Sequence, residues 1–243
     1  MEAINDLPIT QELIEMIREH AAREAPREAC GLLIVFRGRL QYRPATNLSD
    51  RLAHFILKPE DWADIEDVGE IVCIVHTHVY ESPEPSAADL VLCENTKLPW
   101  LIVNHPVGHF KLIKPVGYKA PLIGRPFHHS VLDCYALARD YYASKDVQLP
   151  NYAREDNWWL KGKNLFLENF EETGFYRVPI EELQVNDAIL MQMHAPVPNH
   201  CAVLVEDNKI LHHVTNRLSS VDVYGGYWRN VTTHVVRYKD PIK

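Results

Sequence analysis

The chain has 243 residues, 47% of them hydrophobic and 24% charged, the balance of a globular protein with apolar mass for one or two cores. It carries 33 acidic against 25 basic residues, a formal charge of -8, and the basic residues are scattered singly, which argues against a nucleic-acid partner. The longest apolar runs, such as Ile71 to Val75, are strand-length, so no membrane span is expected, and the first thirty residues lack the basic, apolar and small-residue zones of a secretory signal.

In chain order, Leu13, Ile14, Ile17 and Ala21 follow helical spacing between Thr10, an N-cap, and Pro26, a stop. Gly31 to Phe36 and Leu40 to Arg43 read as strands around the turn Arg37-Gly38-Arg39. A short strand at Phe55 to Leu57 follows, then a helix from Pro59 to Val68, a strand from Ile71 to His78 and a helix from Ser86 to Asn95. Strands at Trp100 to Val103 and His109 to Ile113 close an α/β pattern. Between Lys114 and Pro126 three prolines and two glycines crowd together at 115, 117, 121, 124 and 126, marking a linker. We therefore expect one domain over residues 1–115 and a second over 120–243. The second begins with a helix from Val131 to Ser144 and a polar, aromatic-rich helical stretch from Tyr152 to Thr173. Strands at Ala188 to Met193, Ala202 to Val205, Lys209 to His213 and Thr233 to Tyr238 give it an α+β pattern.

Five cysteines, an odd number without a CxxC pair, suggest neither a disulfide framework nor a cysteine-based zinc site, and point to synthesis in a reducing compartment. Thirteen histidines are many for this length, and several cluster.

The first cluster lies in IVHTHVYESPEPSAAD. On a strand His76 and His78 face the same side, so both can reach one ion, and Asp89 on the first turns of the next helix can supply a third ligand. Two imidazoles and a carboxylate leave zinc an open position for water, the pattern of a catalytic site. Taken singly, Ser86-Ala-Ala-Asp89 also reads as an ordinary helix start, and the histidines as surface residues. His-x-His, seven residues, Ser, two residues, Asp resembles the signature of JAMM (MPN+) metallopeptidases. That resemblance implies a mixed sheet flanked by helices and a zinc ion on His76, His78 and Asp89. It also implies Glu28, in Pro26-Arg27-Glu28-Ala29-Cys30-Gly31, as general base and Ser86 as an oxyanion donor. The sequence departs from the family in one place, with Thr77 where Ser is commoner.

The second cluster begins at Cys134 in PFHHSVLDCYALARDYY, at the start of a helix whose dipole favours the thiolate. His200 opens a later strand and could serve as base, and His212 at the end of the next could orient it. A lone cysteine is more often a small buried hydrophobe, and Cys73, Cys93 and Cys201 are read in that way. His128 and His129 are read as packing or facing solvent rather than lining a groove. Asp133-Cys134 opening a helix, Asn186-Asp187 before a strand, His200-x-Ala-Val and a histidine twelve positions on look like NlpC/P60 peptidases. The resemblance implies a papain-like core acting on peptidoglycan stem peptides, with Cys134 as nucleophile, His200 as base and His212 as the orienting residue. His213 is the alternative for that third role, because neighbouring strand residues face opposite ways. Tyr135-Ala136 and Asn186 stand where the family usually has Ser-Gly and Gly.

The two domains in this order, with Gly124-Arg125-Pro126-Phe127 before the helix, resemble the tail assembly proteins of lambda-like phages. That implies peptidoglycan peptides as substrate, other phage tail tip proteins as partners, synthesis in the host cytoplasm and a place at the virion tail tip. Two other readings compete. One is a structural tail-tip protein whose sites are inactive or used only for processing during assembly. The other is an isopeptidase acting on a ubiquitin-like tag, which leaves the second domain unexplained.

Overall fold

The computed structural model describes residues 7–242. Residues 1–6, which begin the segment read as lacking a secretory signal, lie outside the described residues. The chain divides into two units, Met1–Lys119 and Ala120–Lys243. No helix among the described residues is long and apolar enough to cross a membrane.

The first unit is a five-stranded mixed sheet in the order β2-β1-β3-β4-β5. Its strands are β1 (Cys30–Phe36), β2 (Arg39–Ala45), β3 (Glu70–Val79), β4 (Trp100–His105) and β5 (Phe110–Ile113). Only β3 and β4 run parallel, joined through helix α3 (Ala87–Thr96). Residue alternation gives the sheet two apolar faces. Leu33, Val75, Leu101 and Val103 cluster with Leu13, Ile14 and Ile17 of α1 (Gln11–Glu24). Leu32, Ile34, Ile74 and Ile102 cluster on the other face with Ile65 of α2 (Pro59–Glu66) and Cys93 of α3. Helix α1 starts where expected, the Thr10 hydroxyl accepting from Leu13 N at 3.3 Å. Gly31 is required on β1, because a Cβ there would meet the Tyr42 ring at 2.6 Å. The segment expected as a strand at Phe55 to Leu57 forms only a single bridge between Asn47 and Leu57. The Asn47 side chain accounts for this: its oxygen accepts from Ser49 N and Ile56 N, and its amide donates to Glu28 O and His54 O. A side chain there takes over backbone pairing that a ladder would otherwise make.

The second unit is a six-stranded antiparallel sheet, β10-β9-β8-β7-β11-β6, with helix α4 (Cys134–Ala143) packed on β8 and β9. The strands are β6 (Phe175–Val178), β7 (Ala188–Met191), β8 (His200–Val205), β9 (Lys209–His212), β10 (Ser220–Val223) and β11 (Thr232–Tyr238). Leu137, Tyr141 and Tyr142 of α4 pack against Leu190, Val203, Leu211 and Val236. The opposite face gathers Ile189, Ala202, Ile210 and Tyr224, with Trp228 from the short helix α6 (Gly226–Val231). Strands β6 and β10 and helix α6 go beyond the elements read from the sequence. Helix α4 begins at Cys134 rather than Val131, because the Asp133 carboxylate caps it by accepting from Ala136 N at 2.8 Å. The stretch from Tyr152 to Thr173 is not one helix. It holds a single 3-10 turn at Trp158–Leu160 and the short helix α5 (Leu165–Asn169), interrupted by Asn157 and Gly162 in left-handed conformation. At Asn186, where the family usually has Gly, φ is 75°, a conformation that favours glycine and tolerates asparagine.

Candidate active sites

In the first unit the site forms at the end of β3. His76 and His78 share the face of Ile74, and α3 presents Asp89 to them. Asp89 is fixed by a reciprocal capping box: Ser86 N donates to its carboxylate at 2.7 Å, and Asp89 N donates to the Ser86 hydroxyl at 3.1 Å. His76 Nε2 lies 3.3 Å and His78 Nε2 3.5 Å from the two Asp89 oxygens, and the two imidazole nitrogens approach to 3.2 Å. One ligand atom from each of the three residues falls within 4.8 Å of the others. His76 is enclosed by stacking on Phe55 at 4.8 Å and by the edge of Trp100 at 5.5 Å.

This donor set fits a divalent cation. His78 Nδ1 donates to the Ser82 carbonyl at 2.6 Å, and since a carbonyl only accepts, Nδ1 carries a proton. Nε2 is the ring nitrogen that faces the cluster, a donor to Asp89 when protonated and a ligand for an ion when not. Two buried ring nitrogens aimed at one point next to a carboxylate are poorly arranged for each other and well arranged for an ion. Burial lowers His76, an effect Asp89 partly offsets, while Asp89 and the Ser82 carbonyl raise His78 against its burial. Against its own burial, hydrogen bonds with the two histidines hold the Asp89 carboxyl far below the usual range. His76 Nδ1 is buried with no hydrogen-bond partner among the described residues.

Glu28 precedes β1. Cys30 pairs with His76, so the antiparallel register continued two residues sets Glu28 across from His78. Burial pushes its carboxyl up to about 8, with His78 pulling it down and Asp89 and Glu81 pushing it further up. Ser86 Oγ is occupied as an acceptor by the helix cap, which leaves its hydroxyl hydrogen to donate.

In the second unit Cys134 is the first residue of α4 and borders a cleft of about 250 Å³ shared with Asp133, His200 and the aromatic residues Trp158 and Trp159. His200 opens β8, and His212 ends β9 as its diagonal neighbour, since His212 pairs with Ala202. His200 Nε2 and His212 Nδ1 are 3.2 Å apart, which leaves His200 Nδ1 for the thiol. His212 Nε2 in turn lies 3.2 Å from Asp222 of β10, although its N–H does not point squarely at the oxygen. Trp228 closes over this pair, its ring 4.4 Å from that of His212. A hydrogen bond from Cys201 and then His200 hold the Cys134 thiol well below its usual value against its burial. Burial and the charge of His200 lower His212 to about 4, so it is neutral at pH 7.

His213 does not join this series. Its Nε2 lies 3.2 Å from the Arg217 carbonyl, and its ring meets Phe127 edge-on. His129 borders the cleft, contrary to the expectation that it packs elsewhere or faces solvent. Asp222 was missed by sequence reasoning. The alternation of Ser220-Val221-Asp222-Val223 was a usable strand signal, but pairing with β9 is what brings the carboxylate to His212.

Comparison with known proteins agrees with this division. Residues 10–113 match the family model for prokaryotic homologs of the JAB domain, and residues 124–237 match the NlpC/P60 family. A JAB1/MPN domain protein of Archaeoglobus fulgidus aligns with 45% of this chain and 90% of its own, at 23% identity and a TM-score of 0.30. Tail tip assembly protein K of Escherichia phage lambda is 39% identical over 184 residues, 75% of this chain and 89% of the relative. The same protein of Escherichia phage N15 is 39% identical over 236 residues, 95% of this chain and 96% of the relative. At that identity along nearly the whole of both sequences, the chain belongs to the tail tip assembly protein K family, joining a JAB domain to an NlpC/P60 domain.

Proposed function

We propose that this chain is a phage tail tip assembly protein with two peptidase sites, a zinc-dependent JAMM-type (iso)peptidase and a cysteine endopeptidase cleaving peptidoglycan stem peptides. The observation that carries the reading is the series from Cys134 through His200 and His212 to Asp222, whose first two members border one cleft. Its proposed partners are other tail tip proteins, in keeping with the name of its relatives, with synthesis in the host cytoplasm and a place in the virion tail.

At the cysteine site, His200 Nδ1 takes the proton from the Cys134 thiol, and the thiolate attacks the carbonyl carbon of the scissile peptide bond. The Cys134 backbone N–H, in the first turn of α4 where no intrahelical acceptor exists, can donate to the oxyanion. His200 then returns its proton to the leaving amine, and a water activated by the same ring hydrolyses the thioester. His212 accepts from His200 Nε2–H at Nδ1 and must therefore carry its own proton on Nε2, the side that Asp222 favours.

At the first site His76, His78 and Asp89 would hold zinc, which when bound supplies a Lewis acid and an acidified water. Glu28, raised by burial, is suited to accept a proton there and return it to a leaving amine. The Ser86 hydroxyl can donate to the oxyanion from a position fixed by its cap.

Metal analysis combined with a digest of purified peptidoglycan tests both halves. Zinc near one equivalent, lost in His76→Ala, together with muropeptide release lost in Cys134→Ala, is the expected pattern. Release that survives Cys134→Ala overturns the cysteine assignment, and a metal content unchanged in His76→Ala overturns the zinc assignment.

A further inference from the structure

The cysteine site contains a buried ion pair that the hydrolytic steps above leave unused. Asp133, only 3% exposed, is the N-cap of α4 and the immediate neighbour of Cys134. One carboxylate oxygen accepts from Ala136 N at 2.8 Å; the other accepts from Ser130 N at 2.9 Å and from Arg154 Nε at 2.7 Å. Arg154 is itself buried, and it arrives from an irregular segment. Its remaining N–H groups donate to Ser130 O at 2.7 Å, Tyr152 O at 2.6 Å and Asn151 Oδ1 at 3.2 Å, while the guanidinium lies over the Tyr135 ring at 5.0 Å. The arginine thus closes a ring with Ser130 and Asp133 and ties the turn before the nucleophile to the cleft wall.

A carboxylate next to a thiol opposes ionisation of that thiol, and in a buried place little water screens it. The titratable and charged groups that line the cleft with Cys134 or act on its thiol come from several elements. They are Asp133 at the start of α4, His200 and Cys201 of β8, His213 after β9, and His129, Arg154 and His194 from the loops around the cleft. Asp133 is the carboxylate of this set and Arg154 its permanent cation.

We propose that Arg154 is a positioning residue for the nucleophile: its buried guanidinium cancels the Asp133 charge beside Cys134 and fixes the turn on which α4 begins. The inference rests on Cys134 being the nucleophile.

The test is the pH dependence of iodoacetamide alkylation at Cys134, followed by peptide mass spectrometry on the full chain. In the wild type the thiol is expected to react at lower pH than an ordinary cysteine. Arg154→Met keeps the bulk and removes the charge, and its profile is expected to move up by about one pH unit, making alkylation about tenfold slower at pH values below both midpoints. Adding Asp133→Asn to Arg154→Met is expected to restore most of the rate, since asparagine still caps the helix but carries no charge. Asp133→Asn alone, which keeps the arginine, is expected to move the profile to lower pH, and this outcome does not depend on Arg154→Met folding.

An Arg154→Met profile identical to wild type overturns the proposal. A double variant as slow as Arg154→Met, or an Asp133→Asn profile that is unmoved or shifted upward, overturns the charge argument and leaves a purely structural arginine. A wild-type Cys134 that titrates like a free cysteine refutes the nucleophile reading instead, and the displacement between wild type and variants still reports on Arg154.

Discussion

Replacing Asp222 with Ala probes the member of the cysteine site that lies farthest from the chemistry. The carboxylate does not border the cleft, so it acts only through His212, by holding the proton on Nε2 and leaving Nδ1 to accept from His200. A hydrogen bond to a charged acceptor contributes about 1.5–3 kcal/mol. The low end applies here, because the N–H is aimed off the oxygen, the side chain is 24% exposed, and Asp222 also faces Arg217 at 3.2 Å. About 1.5 kcal/mol corresponds to roughly a tenfold loss of kcat/KM. The loss should fall on kcat with KM unchanged, since no substrate contact is removed. The assay is steady-state cleavage of a purified stem peptide between pH 5.5 and 8, with circular dichroism melting to confirm that the variant folds. A kcat/KM within twofold of wild type across that range would refute the relay and leave His200 oriented by packing alone.

Three further outcomes follow from the geometry. Ser86→Ala removes the acceptor for Asp89 N and should cost about 1 kcal/mol of stability, read as a lower urea midpoint, while retaining metal less tightly than wild type by titration with a chelator. His212, lowered from 6.5 to about 4 by burial and by the charge of His200, gives stability a pH dependence. As pH falls through 6.5 the unfolded chain takes up this proton first, so folding free energy should drop by about 2 kcal/mol between pH 6.5 and 4 and be insensitive to this group above 7. Urea midpoints at fixed pH in wild type and His212→Gln check it, because the slope should shrink in the variant. Gly31→Ala drives a Cβ from β1 into the Arg43 carbonyl and the Tyr42 ring of β2, and should destabilise the first unit by about 1–3 kcal/mol in thermal melts while leaving alkylation of Cys134 unaffected.

Much of both sites was legible because the relevant relations are short along the chain. Two histidines two residues apart on a strand share a face by covalent geometry. A serine and an aspartate three apart at a helix start form a capping box whatever surrounds them, and a cysteine after an aspartate cap sits in the first turn. The division into an α/β and an α+β region followed from where apolar periodicity changes and prolines crowd. The stretch from Tyr152 to Thr173 misled, because its aromatic residues mimic a helical stripe while Asn157 and Gly162 bend the backbone out of it. Strand β6, four residues long, carries little periodic signal and exists through its pairing with β11.

What the sequence determined by itself, then, was the set of candidate ligands and the candidate nucleophile that local backbone geometry presents. Tertiary structure decided which distant groups complete them: Glu28 across from His78, His212 rather than His213 beside His200, Asp222 behind His212, and Arg154 on Asp133. The reason is physical. Contacts between neighbours are dictated by bond lengths and strand or helix period, whereas contacts across a sheet depend on which strands pair and in what register, and a slip of one residue turns every side chain to the opposite face.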